Sequence, residues 1–120
     1  MADTIDGLAG DDTINGLARF DLIYGGDGND TIDGGTGDDS LTGGAGDDVI
    51  NGGTGSEIIT DFTAGAATDD TINLSGVASL TNFGDVTAAA TDVVIDLGGG
   101  STLTLRGVLT AQLDSSDFTF

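Results

Sequence analysis

The chain holds no cysteine, histidine, lysine, proline or tryptophan, and its 120 residues include two basic side chains, Arg19 and Arg106. Each absence removes a class of function. Without cysteine there is no disulfide framework, thiolate nucleophile or soft-metal site. Without histidine or lysine the usual general bases and amine nucleophiles are missing as well. No apolar run reaches the roughly 18 residues that span a bilayer, so no membrane insertion is expected. Met1 to Gly10 lacks both a basic stretch and an apolar segment, and does not read as an ordinary signal peptide. Against two arginines stand 21 acidic residues, a formal net charge of −19. Such a chain repels nucleic acid and anionic membrane surfaces, so neither is expected as a partner.

What is abundant is glycine, at 22 residues, together with carboxylate. High net charge with few aromatics favours disorder, but here the acids are in phase. From Gly25 the chain reads GGDGNDTID, then GGTGDDSLT, GGAGDDVIN and GGTGSEIIT; backwards it reads GLARFDLIY from Gly16 and GLAGDDTIN from Gly7. Position six of this nine-residue unit is Asp3, Asp12, Asp21, Asp30, Asp39, Asp48 and Glu57, and position eight is Ile5, Ile14, Ile23, Ile32, Leu41, Ile50 and Ile59. Self-similarity at a fixed short period is the signature of a solenoid.

Each unit divides in two. Its first six residues carry glycine at positions one, two and four, where positive φ is tolerated, and predict a tight turn. Its last three set an aliphatic between small polar or β-branched residues, as in a short strand. A single such strand cannot bury its aliphatic. Two consecutive units form one coil of 18 residues, in which Ile14, Ile32 and Ile50 line one parallel sheet and Ile5, Ile23, Leu41 and Ile59 the other. The expected fold is all-β: a right-handed parallel β-roll over 1–60, then a β-rich capping region over 61–120 with at most a short helix.

Stacked coils lie about 4.7–4.9 Å apart, which brings carboxylates 18 residues apart into register on one edge. Two such charges about 5 Å apart repel by roughly 3 kcal/mol at an effective dielectric of 20. Repeated down both edges, that repulsion requires a cation. Ca²⁺ takes oxygen ligands at about 2.3–2.6 Å and bridges two turns, whereas Mg²⁺ demands a stiffer octahedron at about 2.0–2.1 Å and fits worse.

These units, GGxGxDxUx with U aliphatic, resemble the known signature of the repeats-in-toxin (RTX) calcium-binding nonapeptide family over Asp3 to about Thr60. The resemblance implies several Ca²⁺ ions, each between turns 18 residues apart. The earlier turn gives the carbonyls of positions two and four and its position-six carboxylate; the later gives the carbonyls of positions one and three and its own carboxylate. Carried over, one site joins Gly26, Gly28 and Asp30 to Gly43, Ala45 and Asp48. A second joins Leu8, Gly10 and Asp12 to Gly25, Asp27 and Asp30. On the opposite edge Gly35, Gly37 and Asp39 meet Gly52, Thr54 and Glu57, where glutamate departs from the pattern. Turn 16–21, GLARFD, departs most, with Leu17 and Arg19 at two glycine positions. An ordinary calcium site is not expected there, and Arg19 offers an alternative partner for a carboxylate.

The period ends after Thr60. Alternation in TINL (71–74), VVIDL (93–97) and STLTLRGV (101–108) predicts strands, and Gly98-Gly99-Gly100 predicts a hairpin connection. Leu80, Phe83, Val86 and Ala90 share one face of a possible short helix. This half has the apolar surface that closes a solenoid end. Residues 59–77 and 95–120 are also similar to the C-terminal part of RTX proteins exported by type I secretion. That similarity implies a last site in which Asp61 and an acid of the Asp69-Asp70 pair, taken as Asp70, join Gly44, Gly46 and Asp48. It also implies that Asp117-Phe118-Thr119-Phe120 is the chain end read by an exporter.

The function these features imply is a calcium-binding module that folds outside the cell and supports type I secretion, alone or as the C-terminal part of a larger exported protein. Its expected partners are calcium ions and the type I secretion machinery, and its expected location is extracellular or at the cell surface. The alternative is a calcium-dependent, self-assembling subunit of a surface layer, matrix or fibre, forming a homo-oligomer through the open N-terminal end of the roll. No enzymatic activity is expected, because the paired carboxylates belong to a periodic lattice.

Overall fold

The computed structural model describes residues 1–63, 70–77 and 92–120. The repeats form seven strands in chain order: β1 (Thr4–Asp6), β2 (Thr13–Asn15), β3 (Leu22–Asp27), β4 (Thr31–Asp33), β5 (Ser40–Ala45), β6 (Val49–Asn51) and β7 (Ser56–Ile59). Four follow: β8 (Thr71–Asn73), β9 (Asp92–Gly98), β10 (Ser101–Arg106) and β11 (Phe118–Thr119). They build two sheets, ordered β1-β3-β5-β7-β10-β9 and β11-β8-β6-β4-β2. Every pairing is parallel except that of β9 with β10. The fold is the expected all-β parallel β-roll.

The register follows the aliphatic column. Ile5 pairs with Ile23, Ile23 with Leu41 and Leu41 with Ile59 in one sheet; Ile14 pairs with Ile32 and Ile32 with Ile50 in the other. A one-residue slip would turn every one of these side chains outward, so burial of one face pins the pairing. Ile23, Ile32, Leu41, Ile50 and Ile59 are completely buried between the sheets. Each such side chain contributes about 1.5–3 kcal/mol relative to exposure.

Beyond Thr60 the chain continues both sheets. Ile72 of β8 pairs with Ile50 and extends the second sheet, and Phe118 of β11 pairs with Ile72. On the first sheet β10 runs parallel to β7, with Leu103 opposite Glu57 and Leu105 opposite Ile59. The hairpin expected at Gly98-Gly99-Gly100 connects β9 and β10, with φ of 84°, 64° and 92°. One hydrophobic core therefore runs from Ile14 through Ile59 to Leu105 and Phe118, across the boundary expected at residue 60. The helical face at Leu80, Phe83, Val86 and Ala90 lies outside the described residues. Among those described, the only helical elements are short 3-10 turns at Thr110–Gln112 and Ser115–Asp117.

The turns correct one expectation. Positive φ occurs at positions two and four, such as 119° at Gly26 and 133° at Gly28, and not at position one. Position one is glycine for lack of space: a Cβ on Gly25 would strike the Asp30 carboxylate and the Gly43 carbonyl oxygen.

Candidate metal centre

From Asp12 to Glu57 the position-six carboxylates point inward between stacked turns, while Asp3 at the start of the column is exposed. Asp21, Asp30, Asp39, Asp48 and Glu57 are 0–1 % exposed, and Asp12, on the first coil, is half-buried. Most use one oxygen alike, accepting a hydrogen bond from the position-six amide 18 residues earlier. Asp21 Oδ1 accepts from Asp3 N at 2.8 Å, Asp30 from Asp12 at 2.9 Å, Asp39 from Asp21 at 2.8 Å and Asp48 from Asp30 at 2.8 Å. The second oxygen has no partner. Oδ2 of Asp12, Asp21, Asp30, Asp39 and Asp48 is buried without a hydrogen bond, as are both carboxylate oxygens of Glu57.

A buried acceptor left unpaired costs about 1–3 kcal/mol, and more when it is charged. At Asp39, Asp48 and Glu57, burial and neighbouring carboxylates accordingly hold the carboxyl toward the protonated form. Burial, with the nearby charge of Asp39 adding to it, pushes Glu57 up to about 7. Burial pushes Asp70 up to about 6, and it raises Asp39 and Asp48 above the ordinary carboxylate range. A string of orphaned, negative oxygens at equal spacing is what a row of cations would satisfy.

The surrounding main chain supplies suitable donors. The gap that a Cβ on Gly25 would fill is bounded by Asp30 Oδ2 and the Gly43 carbonyl, one from each of two stacked turns. Asp48 Oδ2 bounds the equivalent gap at Gly43, Asp12 Oδ2 that at Gly7 and Asp39 Oδ2 that at Gly34. Position-two and position-three carbonyls also lace the turns directly: Asp27 N donates to Leu8 O at 2.9 Å, and Gly28 N to Ala45 O at 2.8 Å. Each carbonyl oxygen keeps a second lone pair. Among the described residues no three acidic side chains converge on one point, so any ion draws most of its ligands from carbonyls. That oxygen-only, carbonyl-rich set suits Ca²⁺.

The expected sites differ in how completely they are assembled. The turns that carry Gly26, Gly28 and Asp30 and Gly43, Ala45 and Asp48 stack in register, as do those of Leu8, Gly10 and Asp12 with Gly25, Asp27 and Asp30. Gly35, Gly37 and Asp39 stack on Gly52, Thr54 and Glu57, joined by Thr54 N to Gly35 O at 2.9 Å and Gly37 N to Thr54 O at 2.9 Å. There the longer Glu57 does not take up the Asp39 amide. At the last site, above Gly44, Gly46 and Asp48, Asp70 assumes the position-six role: its Oδ1 accepts from Asp48 N at 3.1 Å across 22 residues, and its Oδ2 from Thr63 N at 2.8 Å. Asp61 is held differently, accepting from Gly43 N at 3.0 Å and Gly44 N at 2.8 Å.

Two features are not apparent from the repeat pattern. Turn 16–21 is built like the others: Leu17 and Arg19 adopt glycine-like backbone, φ 70° and 105°, so their carbonyls lie beneath Gly35 and Gly37 as a glycine turn's would. Asp21 is wholly buried with its Oδ2 unpartnered, while Arg19 is exposed and forms no ion pair among the described residues. The retained acid at position six was the available signal. Position five adds a second lacing in the opposite sense: Asp11 Oδ1 accepts from Asn29 N at 2.8 Å, Asn29 Oδ1 from Asp47 N at 3.0 Å and Asp38 Oδ1 from Ser56 N at 2.9 Å.

Comparison with known proteins agrees with this geometry. Residues 2–23 and 24–59 match the family model described as the RTX calcium-binding nonapeptide repeat, in four copies. No curated protein matches the chain. The solution structure of the AlgE6R3 subunit from the Azotobacter vinelandii mannuronan C5-epimerase is similar with a TM-score of 0.70 at 26% identity, covering 99% of this chain and 78% of that one. The crystal structure of the extracellular lipase LipA from Serratia marcescens shares the fold, with a TM-score of 0.60 at 22% identity. It covers 98% of this chain, which spans 20% of the lipase.

Proposed function

From the premise that residues 2–59 belong to the RTX calcium-binding nonapeptide repeat family, we infer that the protein is a calcium-driven folding module of an exported protein. The observation that carries this is the file of buried, unpartnered carboxylate oxygens from Asp12 to Glu57. Metal affinity and folding are then one equilibrium, because the paired turns do not exist in the unfolded chain. Where free calcium is scarce, carboxylate repulsion and glycine entropy keep the repeats open, the form that a narrow export channel passes. At the roughly 10⁻⁴–10⁻³ M range of extracellular calcium modules, the ions neutralise the orphaned oxygens and the roll closes.

The chain end supports the same order of events. Asp117 and Phe118 are buried, and Phe118–Thr119 is a strand of the second sheet. An exporter that reads Asp117-Phe118-Thr119-Phe120 therefore has to meet it before folding. The proposed role is binding and folding rather than catalysis, since each orphaned carboxylate faces a stacked turn instead of a substrate cleft. Circular dichroism and calorimetry across a calcium titration test this: β-structure is expected to rise with ion uptake, and a chain that is fully folded in chelator would refute it.

A further inference from the structure

Interior turns of the roll have no room for a side chain at positions two and four. A Cβ on Gly26 falls against the carbonyl of Leu8, one on Gly44 against that of Gly26, and one on Gly37 against that of Arg19. In each case the obstacle is the main chain of the preceding coil, which cannot swing aside as a side chain does.

The first turn on each edge breaks this rule. Leu8 and Leu17 occupy position two and Arg19 position four, in the same left-handed backbone as the glycines they replace, at φ 76°, 70° and 105°. Their Cβ atoms therefore project as a Cβ on Gly26, Gly44 or Gly37 would, toward the N-terminal end of the roll. That side is open: a Cβ on Gly10 meets nothing within 4 Å, and Leu8 and Leu17 are each 70% exposed.

We propose that Leu8, Leu17 and Arg19 form a steric stop, so that no further calcium-binding coil stacks in register on this end, whatever sequence lies upstream. Residues 3–6 still pair along β3, because they begin at position six and bring no turn with them. The stop opposes growth of the roll through its open end, whether by upstream repeats or by a second copy laid coil upon coil, and so counts against the expected homo-oligomer. It rests on the calcium reading above, since a coil without ions would have no reason to stack.

The test adds a coil to the full chain. A copy of residues 25–42 is inserted between Asp6 and Gly7, once in the native background and once with Leu8→Gly, Leu17→Gly and Arg19→Gly. Calcium stoichiometry by calorimetry and hydrogen exchange of the inserted amides are read against the unextended chain of the same background. In the native background the ion count stays unchanged and the insert exchanges like an unstructured peptide. In the glycine background the count rises by two, one ion on each edge, and the inserted amides slow by about a hundredfold or more. Two extra ions in the native background, or none in the glycine background, overturn the stop. Failure of the unextended native chain to take up calcium overturns the calcium reading, and the stop with it.

Discussion

In the repeats, Asp21, Asp30, Asp39 and Asp48 each bury one oxygen against an amide and the other against nothing. In the cap, the buried Asp117 completes a capping box: its Oδ2 accepts from Asp114 N at 2.6 Å while Asp114 accepts from Ser116 N. Around the β9–β10 hairpin the cap's interior is aliphatic, with Val93, Ile95, Leu103 and Leu105 at 0–1 % exposure. One region thus depends on an external cation to complete its polar interior, while the other is complete as it folds. Yet they share a core, because β10 lies directly on β7. Stability that is conditional in one half is thereby imposed on the other.

Removing calcium is the sharpest way to break the comparison. In excess chelator the repeats are expected to open, and the β9–β10 hairpin, stripped of β7, to lose its protection as well. Hydrogen exchange of the Leu103 and Leu105 amides reports this. A hairpin that stays protected above open repeats would show that the cap folds alone, since an isolated two-stranded hairpin is marginal in water.

Paired substitutions separate the two kinds of stability. Asp30 takes up the Asp12 amide, donates its own to Asp48 and turns Oδ2 into the gap at Gly25, across from the Gly43 carbonyl. Asp30→Asn keeps an acceptor but removes the charge from two adjoining sites. The calcium midpoint should rise by about tenfold or more, each of the two sites having lost one ligand charge, and stoichiometry should fall by up to two. Leu105→Ala should instead destabilise the calcium-loaded chain by about 2–5 kcal/mol with stoichiometry intact. Equal effects of both on ion count would erase the distinction.

Acid should narrow the gap between the halves. Glu57 is raised from 4.5 to about 7, and Asp70 from 3.8 to about 6, chiefly by burial. The metal-free fold then binds more protons than the unfolded chain between about pH 4 and 7, so its stability is greatest at the acid end and is lost as pH rises through that window. Calcium, which needs these carboxylates ionised, should bind more weakly at pH 5 than at 7.5. Circular dichroism in chelator at both pH values checks the first statement, with more residual β-structure expected at pH 5, and calcium titration checks the second. Glu57→Gln should flatten part of the metal-free dependence, and an unchanged profile would remove Glu57 from the account.

How far the sequence disclosed this follows from the range of the interactions. The roll was legible because its acids and aliphatics recur at fixed spacing, so Ile23 announces both its strand and its neighbours Ile5 and Leu41. The docking of β10 on β7, and of β11 on β8, has no such marker: the partners are 46 residues apart, and Phe118–Thr119 is too short to carry a period. Asp70 escapes the pattern because a longer connection shifts its spacing to 22 residues. Asp21 is obscured because Leu17 and Arg19 look like turn breakers, although their backbone follows the glycine path.

The smallest expected effect lies in the position-five lacing, which is made of hydrogen bonds separate from the position-six carboxylates. Asn29 Oδ1 accepts the Asp47 amide, and Asn29 is exposed, so water replaces the lost acceptor in Asn29→Ala. The loss should be roughly 0.5–1.5 kcal/mol, the net worth of an ordinary hydrogen bond. It should be the same size at saturating calcium whatever the ion concentration, because the substitution leaves every position-six carboxylate in place. Asp114→Ala in the cap, which removes an N-cap acceptor, should likewise lower stability without changing calcium affinity. Thermal unfolding at two saturating calcium concentrations compares them. If Asn29→Ala alone also weakens calcium affinity, then its side chain helps to hold the turns in the spacing the ions need, and the two lacings of the roll act as one.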